Sequence, residues 1–171
     1  VTCSVRALLQ PIVRGLGDLV PVALSAGDER PLGEVAEALA AAAYTRTDLV
    51  ERRGEFAVRG GILDVFPPTE EHPLRVEFWG DVVEEIRWFK VADQRSLEIA
   101  PHGLWAPPCR ELLLTPAVRA RAAELAEQLP GVAEMLHRVA EGIAVEGMES
   151  LAPALVDGME SLLDVLPAGT V

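Results

Sequence analysis

The chain has 171 residues, half of them apolar and a quarter charged, a composition typical of a globular protein rather than a disordered one. Its formal net charge of −12 argues against a nucleic-acid-binding protein, because contacts with phosphates require a basic surface. More than half of the fifteen lysine and arginine residues nevertheless fall between Arg46 and Arg95, so a local basic patch can still form.

The first third of the chain predicts a strand followed by a helix. Val20–Ser25 is typical of a strand, and a helix is expected to begin near Pro31, since the missing N–H of proline costs nothing in the first turn. Leu32, Val35 and Leu39 then fall on one face of this helix. That face is expected to pack against the core.

Between Arg53 and Phe89 the apolar pattern changes to a period of two, which is typical of β-strands. Gly80 and Asp81 separate two such runs, as in a two-residue hairpin. The pattern predicts a small antiparallel sheet with one helix packed on it, and therefore an α+β fold. The aromatic residues Trp88, Phe89 and Trp105 are expected in the core.

The run Leu74–Trp79 is predicted to have two different faces, because successive side chains of a strand point in opposite directions. One face holds Leu74, Val76 and Phe78, and the other holds Arg75, Glu77 and Trp79. An arginine, a carboxylate and a large aromatic residue are typical of protein-binding hot spots. The alternative is a solvated face with cross-strand ion pairs, each worth about 0.2–1 kcal/mol. Trp79 favours binding, because an indole on a polar face leaves apolar area uncovered.

The chain becomes mainly helical after about Glu98. Thr115 is a predicted N-cap, with Pro116 at the first helical position. A second helix is predicted from about Val132 to Glu141. The last residues, 168–171, are expected to begin a strand.

No pattern for catalysis or metal binding is apparent. Lys90 is the only lysine and follows no glycine-rich loop, so the phosphate-binding P-loop is absent. His72, His102 and His137 lie far apart, and none has a metal-ligand neighbour at a useful spacing. This segment is therefore not expected to be an enzyme, and no cofactor or metal is expected in it.

The two cysteines, Cys3 and Cys109, form no CxxC motif or disulfide framework, which favours reduced thiols and a cytoplasmic location. No apolar run approaches the roughly 20 residues that a membrane span needs. No signal peptide is visible. Because the chain begins and ends within apolar segments, we expect a piece of a longer protein.

Three runs carry a resemblance to a known family: Tyr44–Asp48, Arg53–Pro67 and Leu74–Phe78. They contain a tyrosine-x-arginine-x-aspartate run, then glycine-glutamate-aromatic, arginine-glycine, and an apolar-aspartate-apolar-phenylalanine-proline run. This pattern resembles the second domain of UvrB, the bacterial excision-repair protein. It resembles still more closely the equivalent domain of the bacterial transcription-repair coupling factors (Mfd).

The resemblance covers nearly the whole chain and implies three segments. Residues 1–16 would be the hinge end of a UvrB-like first domain, and residues 17–98 a UvrA-binding second domain. Residues 99–171 would be the returning helical part of the first domain, which is a split α/β domain in this family.

In that family the second domain docks onto UvrA, the damage-sensing ATPase of nucleotide excision repair. The resemblance implies that the UvrA-binding residues are Arg46, Arg59, Arg75, Glu77 and Trp79. The alternation of the strand independently points to the last three. Arg46 rests on the resemblance alone, and a structural role near the helix end is an equal alternative. Ala57 stands where UvrB has another arginine, which implies a weaker basic patch here.

For the longer protein, the resemblance implies an ATP-dependent DNA translocase of the bacterial cytoplasm that removes stalled RNA polymerase and recruits UvrA. ATP, Mg²⁺, RNA polymerase and DNA would then bind other domains, and no membrane is involved. The family also implies that the protein's own C-terminal domain masks the docking face until DNA and polymerase are engaged. Two alternatives remain: a nucleic-acid-contacting surface built on the same arginines, and a structural or autoinhibitory scaffold.

Overall fold

The computed structural model describes residues 2–167 and 169. The helices are α1 (Val5–Leu9), α2 (Leu32–Ala41), α3 (Pro116–Gln128), α4 (Ala133–Ala140), α5 (Ala152–Leu155) and α6 (Leu162–Val165). The strands are β1 (Ile12–Val13), β2 (Val22–Leu24), β3 (Thr45–Arg46), β4 (Glu55–Arg59), β5 (Ile62–Val65), β6 (Leu74–Trp79), β7 (Val82–Phe89), β8 (Ser96–Ile99), β9 (Leu104–Ala106) and β10 (Met159–Glu160). The strand expected at 168–171 lies outside the described residues, apart from Gly169.

The chain divides into two compact units. The first unit joins the two ends of the chain, up to Leu19 and from Glu111 onward, and the second unit is Val20–Arg110. The second unit therefore extends beyond the predicted limit at residue 98. It does so because β8 pairs with β7 in the large sheet and β9 pairs with β2.

The second unit is built on a six-stranded sheet with the strand order β3-β4-β5-β6-β7-β8. Neighbouring strands are antiparallel except for the short edge pair β3–β4, which is parallel. The predicted α+β fold with an antiparallel sheet and a packed helix is confirmed. The parallel edge pair is an addition that the apolar pattern did not indicate.

The main core lies between one face of this sheet and helix α2. Val35 and Leu39 of α2 are fully buried there, as predicted from their helical spacing. They pack in one cluster with alternate residues of the strands, such as Phe56, Leu63 and Val76. Because successive side chains of a strand point to opposite faces, the remaining residues of β4, β5 and β6 lie on the other face of the sheet.

The three aromatic residues predicted to lie in the core differ in burial. Phe89 is fully buried and Trp88 is half-buried against the main core. The prediction for Trp105 is wrong, because 50% of this residue is exposed. Leu104 and Ala106 on either side of it occupy the buried side of β9, so alternation turns the indole outward.

The first unit has its own core, around helices α3 and α4. The Thr115 side chain accepts a hydrogen bond from the Val118 amide at 3.3 Å, which caps α3 as predicted. Val118 and Leu125 of α3 pack in one cluster with Leu136 of α4. Within the part of the chain that the structure describes, no helix has the length and apolar character needed to cross a membrane.

Candidate functional site

The face of the six-stranded sheet opposite α2 carries a cluster of ionised side chains, which we call the charged face. Its members are Arg59 of β4, Asp64 of β5, Arg75 and Glu77 of β6, and Glu85 and Arg87 of β7. The strand register brings them together: Asp64 lies opposite Arg75, and Arg75 lies opposite Arg87. Residues from four strands thus form one surface.

Asp64 lies at the centre of the charged face and is only 1% exposed. Arg75 binds its carboxylate in a bidentate manner, with Nε 2.7 Å from Oδ1 and Nη2 2.8 Å from Oδ2. Arg59 donates a third hydrogen bond from Nη2 to Oδ2 at 2.6 Å. These charge-assisted hydrogen bonds offset the cost of burying the carboxylate.

Arg75 is held mainly by this chain itself. Its side chain is 14% exposed, and Nη1 donates to the Gln94 carbonyl at 3.2 Å. Its guanidinium carbon lies 4.7 Å from the centre of the buried Phe89 ring. The hydrogen bond to Asp64 raises the pKa of Arg75, so the charge persists. Arg75 lies on the predicted face, but packing covers most of the guanidinium that was expected to be presented outward.

Arg59 is the accessible member of this arginine–carboxylate cluster. Its side chain is 47% exposed, while one end of the guanidinium is anchored to Asp64. A guanidinium has five N–H donors in a fixed planar arrangement. Arg59 can therefore donate to a partner without giving up its hydrogen bond to Asp64.

Glu77 and Glu85 lie directly opposite each other on β6 and β7. Like charges at such positions destabilise a sheet. Arg87 compensates by donating from Nε and Nη2 to the two carboxylate oxygens of Glu85, the second at 2.8 Å. These hydrogen bonds lower the pKa of Glu85 and raise that of Arg87, with a smaller contribution from Glu77 to Arg87. Glu77 itself is half-buried, so its carboxylate is partly accessible.

Trp79 is 77% exposed at the end of β6. It lies opposite Val82, which is 40% exposed, so the two form an apolar patch beside the charges. The backbone of the hairpin is anchored by a neighbouring turn: the Gly27 amide donates to the Val83 carbonyl at 2.8 Å, and the Arg30 amide donates to the Asp81 carbonyl at 2.7 Å. An exposed indole on an anchored backbone is suited to be a binding anchor.

The backbone just before β5 lies close to β6 at Gly61. The Phe78 amide donates to the Gly61 carbonyl at 2.8 Å, so the two backbones lie close together. A Cβ atom on Gly61 would lie only 2.8 Å from the Phe78 carbonyl oxygen. Glycine is therefore required at 61 by this close approach.

The structure places four of the five residues proposed from the sequence on one side of the six-stranded sheet, but not Arg46. Arg46 is exposed on the edge strand β3 and lies opposite Phe56, which points into the main core. By strand alternation Arg46 is therefore on the α2 side of the sheet, opposite to the charged face. Arg75 and Trp79 lie on the same side of the sheet but are four residues apart on β6, or about 13 Å between Cα atoms.

Three members of the charged face, Asp64, Glu85 and Arg87, were not predicted from the sequence, and Asp64 is the central one. Asp64 is the aspartate of the apolar-aspartate-apolar motif. A usable signal was present, because Asp64 is a lone carboxylate inside the apolar run Ile62–Phe66. Such a group needs a positive partner when the strand is buried.

The charge of this face indicates the class of partner that it suits. It contains three arginines and three carboxylates, so it is balanced rather than basic. This balance does not favour the nucleic-acid alternative, which requires several uncompensated cations. Among residues 2–167 and 169, no group of three or more His, Cys, Asp or Glu side chains is placed to hold a metal ion.

Comparison with known proteins assigns the second unit to a family. Residues 22–104 match the family described as UvrB interaction domain. The transcription-repair-coupling factor of Mycobacterium tuberculosis is 56% identical over 180 residues, covering 99% of this chain and 15% of that protein. The transcription-repair-coupling factor of Myxococcus xanthus is 36% identical over 177 residues, covering 95% of this chain and 14% of that protein.

A second group of relatives matches the middle of the chain. UvrABC system protein B of Natronomonas pharaonis is 33% identical over 100 residues, covering 56% of this chain and 15% of that protein. The chain thus spans about 15% of the length of the curated relatives it matches. Residues 22–104 therefore form a domain of the UvrB interaction domain family, and over nearly all of its length the chain is similar to a segment of the transcription-repair-coupling factors.

Proposed function

We propose that this chain is a protein-interaction module that binds UvrA through the charged face and Trp79. The observation that carries the proposal is the 77% exposure of Trp79 on an anchored hairpin, on the same sheet face as the accessible groups of Arg59 and Glu77. Two findings support the choice of UvrA as the partner. Residues 22–104 match the UvrB interaction domain, and the chain is similar to transcription-repair-coupling factors and to UvrABC system protein B.

The residues of this surface have different roles in the proposed binding. Trp79 supplies apolar area that a partner can cover, and Arg59 supplies donors for a carboxylate of the partner. Glu77 supplies an acceptor. Arg75 stabilises this surface by binding Asp64. Arg46 is not part of the surface, because it lies on the other side of the sheet.

The first experiment is a titration of the 171-residue chain with purified UvrA by isothermal calorimetry. Trp79→Ala is expected to weaken binding by about 2 kcal/mol or more, as for an interface hot spot. Trp105→Ala is a matched control, because Trp105 is a half-exposed tryptophan on β9, outside the six-stranded sheet. It is expected to leave the affinity unchanged.

Circular dichroism of both variants shows whether they remain folded. Equal UvrA affinity of the folded Trp79→Ala variant and the unmutated chain would reject Trp79 as an anchor. It would favour the scaffold alternative, in which this face packs against other domains of the longer protein.

We extend the proposal to the longer protein of which this chain would form a part. We propose that it is an ATP-dependent DNA translocase of the bacterial cytoplasm, which uses ATP and Mg²⁺ to displace stalled RNA polymerase and recruits UvrA through this module. Its own C-terminal domain would mask the charged face until DNA and polymerase are engaged. The names of the relatives support the coupling of transcription to repair. An assay of RNA polymerase release from stalled complexes on DNA tests this extension. If the longer protein releases no polymerase in the presence of ATP, the extension is contradicted.

A further inference from the structure

Asp64 is the one buried charged residue among those that the structure describes. It accepts hydrogen bonds from two arginines whose environments differ. Arg75 is 14% exposed and also contacts Gln94 and Phe89, whereas Arg59 is 47% exposed. Arg75 donates one hydrogen bond to each carboxylate oxygen of Asp64. The additional hydrogen bond from Arg59 to Oδ2 connects an accessible guanidinium to this buried and fixed carboxylate.

We propose that Asp64 is a positioning residue for partner binding, which holds the guanidinium of Arg59 in the orientation that a carboxylate of UvrA meets. This inference rests on the proposed function. The hydrogen bond from Nη2 of Arg59 to Oδ2 of Asp64 is 2.6 Å long, and it restrains an otherwise flexible side chain. Because the side chain is restrained before the partner arrives, less conformational entropy is lost on binding.

Positioning and simple attraction predict opposite effects of removing the charge of Asp64. The cluster of Arg59, Asp64 and Arg75 has a net charge of +1. Asp64→Asn raises this charge to +2 and keeps the shape of the side chain. If Arg59 contributed only its charge, the substitution would strengthen binding to an acidic group of the partner. If Asp64 positions Arg59, binding becomes weaker.

The test is a double-mutant cycle on UvrA affinity with Asp64→Asn, Arg59→Ala and the double variant. Asp64→Asn alone is expected to weaken binding about fivefold or more. In the Arg59→Ala background the same change is expected to alter the affinity by less than about twofold. Urea unfolding of all four proteins gives their stabilities, so that affinities are compared only between folded chains.

A purely structural Asp64 would give another pattern. If Asp64→Asn acted by loosening Arg75 and the sheet, its effect on UvrA affinity would persist in the Arg59→Ala background. That additive result, or tighter binding by Asp64→Asn, would overturn the inference while leaving the proposed function in place. No UvrA binding by the unmutated chain would overturn both.

Arg59→Lys tests the inference even where Asp64→Asn is too unstable to measure. Lysine keeps the positive charge at a half-exposed position, so the fold is expected to be retained, but it lacks the planar set of donors that Asp64 can orient. The affinity of Arg59→Lys is expected to be closer to that of Arg59→Ala than to that of the unmutated chain. Affinity equal to that of the unmutated chain would contradict the positioning role.

Discussion

A buried carboxylate is costly to desolvate unless donors surround it. At the scale of residues, Asp64 meets this condition through Arg75 and Arg59. Most of the stabilisation comes from Arg75, which is the more buried arginine and binds both oxygens. The two arginines that bind Asp64 therefore have different roles: Arg75 stabilises the sheet, and Arg59 is available to a partner.

Arg75→Met tests this separation. Removal of the guanidinium leaves Asp64 with Arg59 alone, so we expect the free energy of unfolding in urea to fall by about 3 kcal/mol. Arg59→Met is the matched control and is expected to cost less than about 1 kcal/mol, as for an exposed ion pair. Equal losses for the two variants would contradict the separate roles of the two arginines.

Tyr44 is a second residue whose environment predicts a measurable property. Its hydroxyl donates to the Pro107 carbonyl at 2.9 Å, and the residue is buried in the main core. Burial raises the pKa of Tyr44 strongly, with a smaller effect from the neighbouring Cys109 thiol. The folded state therefore binds the phenolic proton more tightly than the unfolded state does.

The stability of the chain is thus expected to fall as the pH rises above about 10, where an unfolded tyrosine ionises. Because the chain has a single tyrosine, the ultraviolet absorbance of tyrosinate reports this group directly. We expect tyrosinate to appear together with unfolding, and urea to restore ordinary titration. Reversible ionisation near the ordinary pKa in a folded chain would contradict the burial of Tyr44.

At the scale of elements, the backbone just before β5 lies close to the end of β6, the strand that carries Trp79. Gly61 lies so close to Phe78 that a Cβ atom would come within 2.8 Å of its carbonyl oxygen. The adjacent residue Gly60 forms the turn between β4 and β5 with a positive φ of 60°. The close spacing of the two strands at this point therefore depends on glycine at position 61.

Gly61→Ala is expected to destabilise the chain by about 1–3 kcal/mol, because the two strands must move apart. It is also expected to weaken UvrA binding, since Trp79 follows the shifted backbone. Gly33→Ala in α2 is the control, because a Cβ atom there meets no atom within 4 Å. Urea unfolding and the calorimetric titration measure the two effects, and a Gly61→Ala variant as stable as the Gly33→Ala variant would contradict the close approach.

At the scale of the whole molecule, the two units have separate apolar clusters. The main core, between α2 and the sheet, consists of residues from the second unit, and the cluster around α3 and α4 consists of residues from the first. The small cluster of Val50, Ala57, Phe66 and Phe89 under the charged face also belongs to the second unit. The proposed binding surface and the residues that support it are therefore contained in Val20–Arg110.

An excised chain of residues Val20–Arg110 is expected to fold cooperatively by itself, because its core is complete. Its UvrA affinity is expected to be within about twofold of that of the full chain, since no binding residue has been removed. Urea unfolding followed by calorimetry checks both expectations. A folded excised chain that binds more than about tenfold more weakly would show that the first unit takes part in binding.

The sequence by itself was sufficient for features that depend on neighbouring residues. The period of two in Leu74–Trp79 predicted which side chains share a face, and Gly80-Asp81 predicted the hairpin. Thr115 predicted the start of α3. These features could be predicted because alternation, turn conformation and capping are set within a few residues. The motif between Tyr44 and Phe78 also indicated the family that residues 22–104 match.

Only the tertiary structure decided which of the predicted site residues are accessible. It placed Asp64 between Arg59 and Arg75, covered Arg75 with Gln94, and put Arg46 on the opposite face. These relations depend on strand register and on packing between residues distant in sequence. Alternation gives the direction of a side chain but not what covers it, because the covering atoms belong to other segments of the chain.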